Sequence, residues 1–172
     1  GDIKLDGHPE SFQLEAKGKR IFVNVPSARQ VAVIDRDKRA VVGKWDVREA
    51  EANFPMALDE SNHRLFIGCR KPAKVLIVDT ETGKSVGAVD CCGDTDDVLY
   101  DAASRRLYVS GGEGWVSVIE QSDPNTYRNV GQVTTAASAR TSFFDASDRI
   151  LYVAVPFRGK QKCALRAFAA EK

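Results

Sequence analysis

Short apolar segments separated by polar turns recur along the chain with a long, regular period. Four tetrapeptides with an aromatic or large aliphatic residue near their centre lie 42 to 44 residues apart, at positions 20–23, 64–67, 106–109 and 150–153. A second run rich in Val and Ile follows about ten residues after each of the first three, at 31–35, 75–79 and 116–120. These short runs have the length and composition of β-strands, and apolar spacing typical of helices is not sustained anywhere.

The spacing of the repeats indicates the architecture. An acidic residue precedes each tetrapeptide by five positions, and polar turn residues separate the strands. A period in the low forties, built from several short strands, is typical of a β-propeller with one blade per repeat. The sequence therefore predicts an all-β fold, a propeller with four four-stranded blades. The acidic residues are Glu15, Asp59, Asp101 and Asp145.

The predicted blades do not by themselves say how the ring closes. We expect a single propeller domain over residues 1–172, with repeats at about 8–47, 52–90, 96–134 and 139–172. The fourth repeat lacks an outer strand, and residues 2–6 are predicted to form a lone outer strand that could complete it. Three assemblies remain open: a closed four-bladed ring, a homodimer forming one eight-bladed ring, and part of a larger ring. We favour an incomplete ring, completed by a second chain or by further blades.

Composition and charge narrow the range of partners. Apolar residues make up 43% of the chain, charged residues 28%, and the net charge is +1, which is ordinary for a globular domain. A protein that binds a polyanion usually has a clear basic excess, so we do not expect nucleic-acid binding. No apolar run approaches the roughly 18 residues of a membrane span, and the first residues lack the features of a signal peptide.

The cysteines and histidines offer little metal or redox chemistry. The chain has four Cys without a C-x-x-C pair, and two His. A zinc site is therefore disfavoured, and no cofactor is expected. Cys69 ends a predicted strand, and Cys91 and Cys92 follow another strand of the same blade. A disulfide from Cys69 to Cys91 or Cys92 remains an alternative to buried free thiols.

One predicted face of the propeller gathers charged residues. Ligands of propellers usually bind where the loops between blades, and those joining the second and third strands of a blade, meet above the central channel. Carboxylates and guanidinium groups converging there form the best candidate for a ligand site, although they can equally neutralise one another as solvated pairs. The acidic run at 94–97 on this face could also hold a hard cation through its oxygen ligands. The candidate ligand-binding residues are Asn53, Arg70, Asp96, Asp97, Glu113, Arg140 and Arg158.

The repeat motif resembles that of the YVTN-repeat β-propellers, the YncE-like group. The motifs at 20–23, 106–109 and 150–153 carry the resemblance, and the longer stretches 53–59, 96–101, 110–114 and 139–141 make it more specific. The resemblance covers essentially the whole chain. It implies that the chain corresponds to the C-terminal blades of the family's longer propellers. It also implies a seven-bladed ring, a periplasmic or extracellular location, and no established catalytic role.

These observations favour a non-catalytic role. We expect a secreted propeller scaffold that binds a protein or a small ligand on its loop-rich face, with arginines engaging anionic groups. By analogy with related propellers, the alternative is a metal-assisted, lactonase-like hydrolase with a central-channel site, for which Asn53, Asp96 and Asp97 are the available ligands. The sequence leaves open whether the chain is an enzyme.

Overall fold

Four antiparallel sheets follow one another along the chain in the computed structural model, which describes residues 1–170. We call them blades 1 to 4. Blade 1 contains β1 (Phe12–Leu14), β2 (Arg20–Val25), β3 (Gln30–Asp35) and β4 (Ala40–Asp46). Blade 2 contains β5 (Glu51–Asp59), β6 (Arg64–Lys71), β7 (Ala73–Asp79) and β8 (Ser85–Asp90). Blade 3 contains β9 (Thr95–Asp101), β10 (Arg106–Gly111), β11 (Trp115–Asp123) and β12 (Thr126–Thr134). Blade 4 contains β13 (Thr141–Asp145), β14 (Ile150–Val155) and β15 (Ala164–Ala169).

The strands of every sheet pair in sequence order, as consecutive hairpins require. The first strands of successive blades contact one another in the order β1, β5, β9 and β13, so they form the inner edge of the stack. The all-β propeller fold predicted from the repeat is confirmed. Within residues 1–170 there is no helix long and apolar enough to cross a membrane.

The acidic residue of each repeat closes the first hairpin of its blade. The carboxylate of Asp59 accepts the Asn62 N–H at 3.2 Å, and that of Asp145 accepts the Ser147 N–H at 2.9 Å. In blade 1 the longer Glu15 side chain accepts the Arg20 N–H at 2.9 Å instead. Carboxylates that bond to nearby main-chain N–H groups stabilise tight turns, which explains why this position is acidic in all four repeats.

The apolar core lies between neighbouring blades. Its three main clusters join blade 1 to blade 2, blade 2 to blade 3 and blade 3 to blade 4. The second strand of each of the first three blades contributes an aromatic side chain to the face that meets the following blade: Phe22, Phe66 and Tyr108. Burial of large apolar side chains contributes about 1.5–3 kcal/mol each, so the interfaces between blades supply most of the stability.

The predicted lone strand at 2–6 is wrong. Those residues belong to no strand, and β15 has no further strand beside it within residues 1–170. Ile3 and Leu5 instead pack against the apolar cluster of blade 1 that contains Val23 and Ile34. This face of blade 1 points away from blade 2, and it partly buries both aliphatic side chains.

Both ends of the stack expose apolar side chains. On blade 4 the side chains of Phe143 and Leu165 are 64% and 68% exposed, beside Tyr152 and Ala154 on the same face. Tyr152 stands at the position that Phe22, Phe66 and Tyr108 hold in the other blades, where each is buried by the next blade. Phe12, on the far face of blade 1, is 58% exposed. The four blades thus form an arc with two apolar ends.

Candidate functional site

Four charged side chains from three blades meet on the loop-rich face. Arg70, at the end of β6, forms ion pairs with Asp96 in β9 and, at 3.2 Å, with Asp94 before that strand. Arg140, in the segment before β13, pairs with Asp94 at 2.6 Å and with Asp96 at 2.7 Å. Each arginine therefore contacts both carboxylates. We call this set of Arg70, Asp94, Asp96 and Arg140 the four-charge cluster.

The cluster is electrically balanced and partly open to solvent. The guanidinium of Arg70 also lies over the ring of Phe54, 4.4 Å from its centroid, which fixes its plane. Hydrogen bonding to Asp94 raises the pKa of Arg140 above its ordinary value, with the charge of Asp96 adding to the effect. The side chain of Arg140 remains 40% exposed. Arg140 is thus the cation in the cluster that an incoming anion reaches first.

Asp97 lies next to the cluster but points into the interface between blades 3 and 4. Its carboxylate accepts the Ser142 N–H at 2.6 Å. Burial raises the pKa of Asp97 above the usual aspartate value; the Ser142 N–H opposes this shift and the charge of Asp96 adds to it. Asp97 therefore joins two inner strands and is less available to a ligand than Asp96.

Asn53 is not on the open face at all. Its side chain is fully buried between blades 1 and 2, where Nδ2 donates to Asn24 Oδ1 at 3.0 Å and to the Gln30 carbonyl at 3.3 Å. The sequence predicts Asn53 in a loop, but β5 begins at Glu51 and a bulge between Asn53 and Met56 shifts the register. The bulge turns Asn53 into the interface, away from Asp96 and Asp97.

Glu113 and Arg158 stabilise separate loops. The Glu113 carboxylate accepts the Gly93 N–H at 2.7 Å, and Arg158 donates to Ser138 Oγ at 2.6 Å. Within residues 1–170 neither side chain forms an ion pair with the four-charge cluster. Of the seven candidate residues, the structure brings Arg70, Asp96 and Arg140 into direct contact and places Asp97 beside them.

Asp94 is not among the seven candidate ligand-binding residues; the sequence offered it only as part of an acidic run that could hold a cation. Asp94 bridges Arg70 and Arg140, and it adopts a left-handed backbone conformation with φ of 51°. The acidic run 94–97 indicated that Asp94 belongs with Asp96, because the two residues lie two positions apart at the entry to the inner strand β9. Among the residues described, no group of three or more His, Cys, Asp or Glu side chains is arranged to hold a metal ion.

All four cysteines are free thiols. Cys69 and Cys92 are both fully buried, but Cys69 belongs to the core between blades 1 and 2 and Cys92 to the core between blades 2 and 3. Cys91 is half-buried and packs against the second of these cores. The disulfide considered from the sequence is absent: Cys69, Cys91 and Cys92 are all free, and the thiols of Cys69 and Cys92 lie on opposite faces of blade 2.

Comparison with known proteins supports the resemblance read from the repeats. No family model matches the chain. Two curated proteins described as uncharacterized protein YncE, from Salmonella typhi and Salmonella typhimurium, are each 26% identical over 145 residues. The chain is similar to YncE. The matched region is 83% of the chain but only 40% of each relative, so the chain spans about two fifths of their length.

Solved structures confirm the fold alone. A chain of Kuenenia stuttgartiensis hydrazine synthase superimposes with a TM-score of 0.82 at 15% identity, covering 98% of this chain and 48% of that one. A chain of the mitotic checkpoint complex superimposes with a TM-score of 0.72 at 14% identity, covering 87% and 47%. In both, the YncE-like arc matches just under half of a longer chain.

Proposed function

We propose that the protein is a non-catalytic propeller scaffold that binds an anionic group of a protein or small ligand at the four-charge cluster. The observation that carries the proposal is the geometry of the cluster: two arginines from different blades share two carboxylates on an accessible face. A ligand carboxylate can replace Asp94 or Asp96 at Arg140 without a net change in the charge that Arg140 faces. The planar guanidinium then offers it two parallel hydrogen bonds.

The test is a titration of isotope-labelled protein with succinate and citrate, followed by NMR. We expect the chemical-shift changes to centre on Arg70, Asp96 and Arg140, and to be largely lost in Arg140→Gln. Arg128→Gln is the matched control, because Arg128 is an exposed arginine on the outer strand β12 that pairs with Glu120. Shift changes that persist in Arg140→Gln, or that are lost equally in Arg128→Gln, would contradict the proposal.

We also propose that a second copy of the chain completes the ring. The open face of blade 4 carries Phe143, Tyr152 and Leu165, and each internal interface seats such a face on the apolar side of the next blade. The far face of blade 1 has this complementary character along its inner strand, where Phe12 and Leu14 stay exposed beside the part that Ile3 and Leu5 cover. Two arcs joined end to end through these faces would give a closed, two-fold symmetric ring.

Light scattering of the chain and of Leu165→Lys tests this association. We expect twice the mass of one chain for the parent protein and the mass of one chain for Leu165→Lys. The circular dichroism spectrum of the variant should be unchanged. Val130→Lys is the control, because Val130 is an exposed aliphatic residue on the outer strand β12. A parent protein with the mass of one chain would overturn the dimer.

The similarity to YncE also supports a periplasmic or extracellular location, which we include in the proposal. Fractionation of cells that express the native gene with a C-terminal tag tests it. Recovery of the tagged protein in the cytoplasmic fraction would contradict a secreted location.

A further inference from the structure

One main-chain hydrogen bond recurs in the first three blades with the period of the repeat. In each of these blades the residue that follows the outer strand donates its N–H to a carbonyl at the start of the third strand. These bonds run from Val47 to Arg29 at 2.8 Å, from Cys91 to Ala73 at 3.3 Å and from Thr135 to Gly114 at 2.8 Å. The three donors lie 44 residues apart. The bond fastens the end of each outer strand to its own blade.

Ile3 stands at the same position of the repeat, 44 residues before Val47. Val47 packs against blade 2 in a cluster that contains Ile67. Ile3 packs against blade 1 in a cluster that contains Val23, which lies 44 residues before Ile67. Ile3 therefore covers the blade that follows it, as Val47 does, but residues 1–170 provide no main-chain acceptor for its N–H. The matching acceptor belongs to a blade in front of blade 1.

Blade 4 carries that acceptor on an open strand edge. β15 is the third strand of its blade and has no outer strand beside it in the described part of the chain, and Cys163 immediately precedes it. The N–H of Ala170, just after β15, bonds at 2.8 Å to the residue before β14. Because successive residues of a strand point their N–H and C=O groups to opposite sides, those of Leu165 face the open edge. Leu165 has the place of Val31, which pairs with Trp45 of the outer strand in blade 1.

The charges at the corner between blades also suit blade 1 as the neighbour of blade 4. The first residue of the second strand is Arg20 in blade 1 and Arg64 in blade 2, and each donates to a carbonyl in the turn after the third strand of the next blade, at 2.5 and 2.8 Å. Blade 4 has Ile150 at this position. The equivalent turn of blade 1, 36–39, carries three basic residues and one acidic residue. It would repel a further arginine, whereas the uncharged Ile150 fits beside it.

We propose that the N-terminal residues of a second copy pair with the open edge of β15. The Ile3 N–H of one chain donates to the Cys163 carbonyl of the other. Gly1, which lies 44 residues before Trp45, accepts the Leu165 N–H. This inference rests on the proposed dimer and extends it from a contact between apolar faces to a defined strand pairing. The pairing occurs twice in the ring, because the two junctions are related by symmetry.

Hydrogen–deuterium exchange followed by NMR tests the pairing directly. In the parent protein, at a concentration where light scattering shows two chains, the Ile3 and Leu165 N–H groups should exchange at least about tenfold more slowly than in Phe143→Lys. Phe143→Lys is the monomeric reference, because Phe143 is 64% exposed on the open face of blade 4. The Lys4 N–H points away from β15 in this pairing, so its exchange should be equally fast in both proteins.

Two variants of Ile3 separate the main-chain bond from the packing of the side chain. Ile3→Pro removes the N–H, whereas Ile3→Ala keeps it and shortens the side chain at least as much. Because each dimer loses two hydrogen bonds, Ile3→Pro should dissociate at a concentration about tenfold or more above that of Ile3→Ala. Sedimentation equilibrium measures both dissociation constants, and circular dichroism checks that each variant keeps its strands.

The outcomes distinguish this inference from the dimer itself. A dimer in which the Ile3 and Leu165 N–H groups exchange as fast as in Phe143→Lys would overturn the strand pairing and leave the dimer standing. Equal dissociation constants for Ile3→Pro and Ile3→Ala would do the same. A parent protein with the mass of one chain would overturn both.

Discussion

The carboxylate of Asp59 in blade 2 accepts a hydrogen bond from the phenol of Tyr100 in blade 3, with 3.1 Å between the oxygen atoms. Gln121 Nε2, also from blade 3, donates to the same carboxylate oxygen at 3.1 Å. Asp59 thus closes the turn of its own blade and also binds the next blade. This second contact makes its carboxylate part of a buried polar network.

Asp59→Ala should lower the free energy of unfolding by about 2–4 kcal/mol, because it removes the buried charged acceptor that Tyr100 and Gln121 share and leaves them only their bonds to each other and to Tyr127. Asp145→Ala is the control: Asp145 closes the equivalent turn of blade 4 with exposed partners, and should cost no more than about 1 kcal/mol. Urea denaturation compares the two. If both variants lose the same free energy of unfolding, the contacts of Asp59 with blade 3 add no stability beyond that of the turn.

Asp97→Asn should stabilise the protein at neutral pH. Burial raises the pKa of Asp97 in the folded state, so folding favours its protonated form. The carboxyl group therefore contributes stability below its unfolded pKa of about 3.8 and loses that contribution as the pH rises through the folded pKa. An Asn side chain is uncharged at every pH and can still accept the Ser142 N–H.

Thermal unfolding measured across the pH range tests the direction of this pH dependence. The melting temperature of Asp97→Asn should exceed that of the parent protein near pH 7, and the difference should shrink as the pH falls into the carboxyl range. Asp148→Asn, which replaces a carboxylate on an exposed turn, is the matched control. A lower melting temperature for Asp97→Asn at neutral pH would contradict the assignment.

Gly68→Ala should destabilise the interface between blades 2 and 3. A Cβ atom at Gly68 would lie 2.6 Å from Pro55 Cγ and 3.0 Å from Val98 Cγ2, and the proline ring cannot rotate away. Overpacking of this kind costs about 1–3 kcal/mol. Gly131→Ala is the control, because no atom lies within 4 Å of the position that its added methyl group would take. Equal denaturation midpoints for the two variants would refute the close approach.

The thiols should react with iodoacetamide in the order of their exposure. Cys163 is exposed and should be alkylated first, and half-buried Cys91 more slowly. Cys69 and Cys92 should react only on unfolding, since both are buried and burial raises the pKa of the Cys69 thiol to about 12. Mass spectrometry after timed alkylation measures this. Rapid modification of Cys69 in the native protein would contradict its burial.

The repeat predicted the fold because each of its parts has a local cause. The acidic residue closes a turn within five positions, and the apolar runs fill interfaces that recur with the same period. The orientation of Asn53 could not be predicted in this way, because a bulge breaks the alternation of side chains between the two faces of β5.

The candidate site was predicted in part for a similar reason. Arg70, Asp96 and Arg140 lie at equivalent ends of their blades, so the blade geometry brings them together. Asp94 joins them through a left-handed turn that no spacing rule indicates. The packing of Ile3 and Leu5 on blade 1 depends on which apolar face is left uncovered, and this is a property of the assembled arc.

The two ends of the arc also determine which blade unfolds most easily. Blades 2 and 3 are held from both sides, whereas blade 4 is held from one side only and blade 1 is shielded on its far side by Ile3 and Leu5. In a linear array, free energy accumulates interface by interface, so a terminal unit with a bare face opens before the units inside it. Blade 4 is therefore where the isolated arc begins to fray, and closing the ring would remove that weak point.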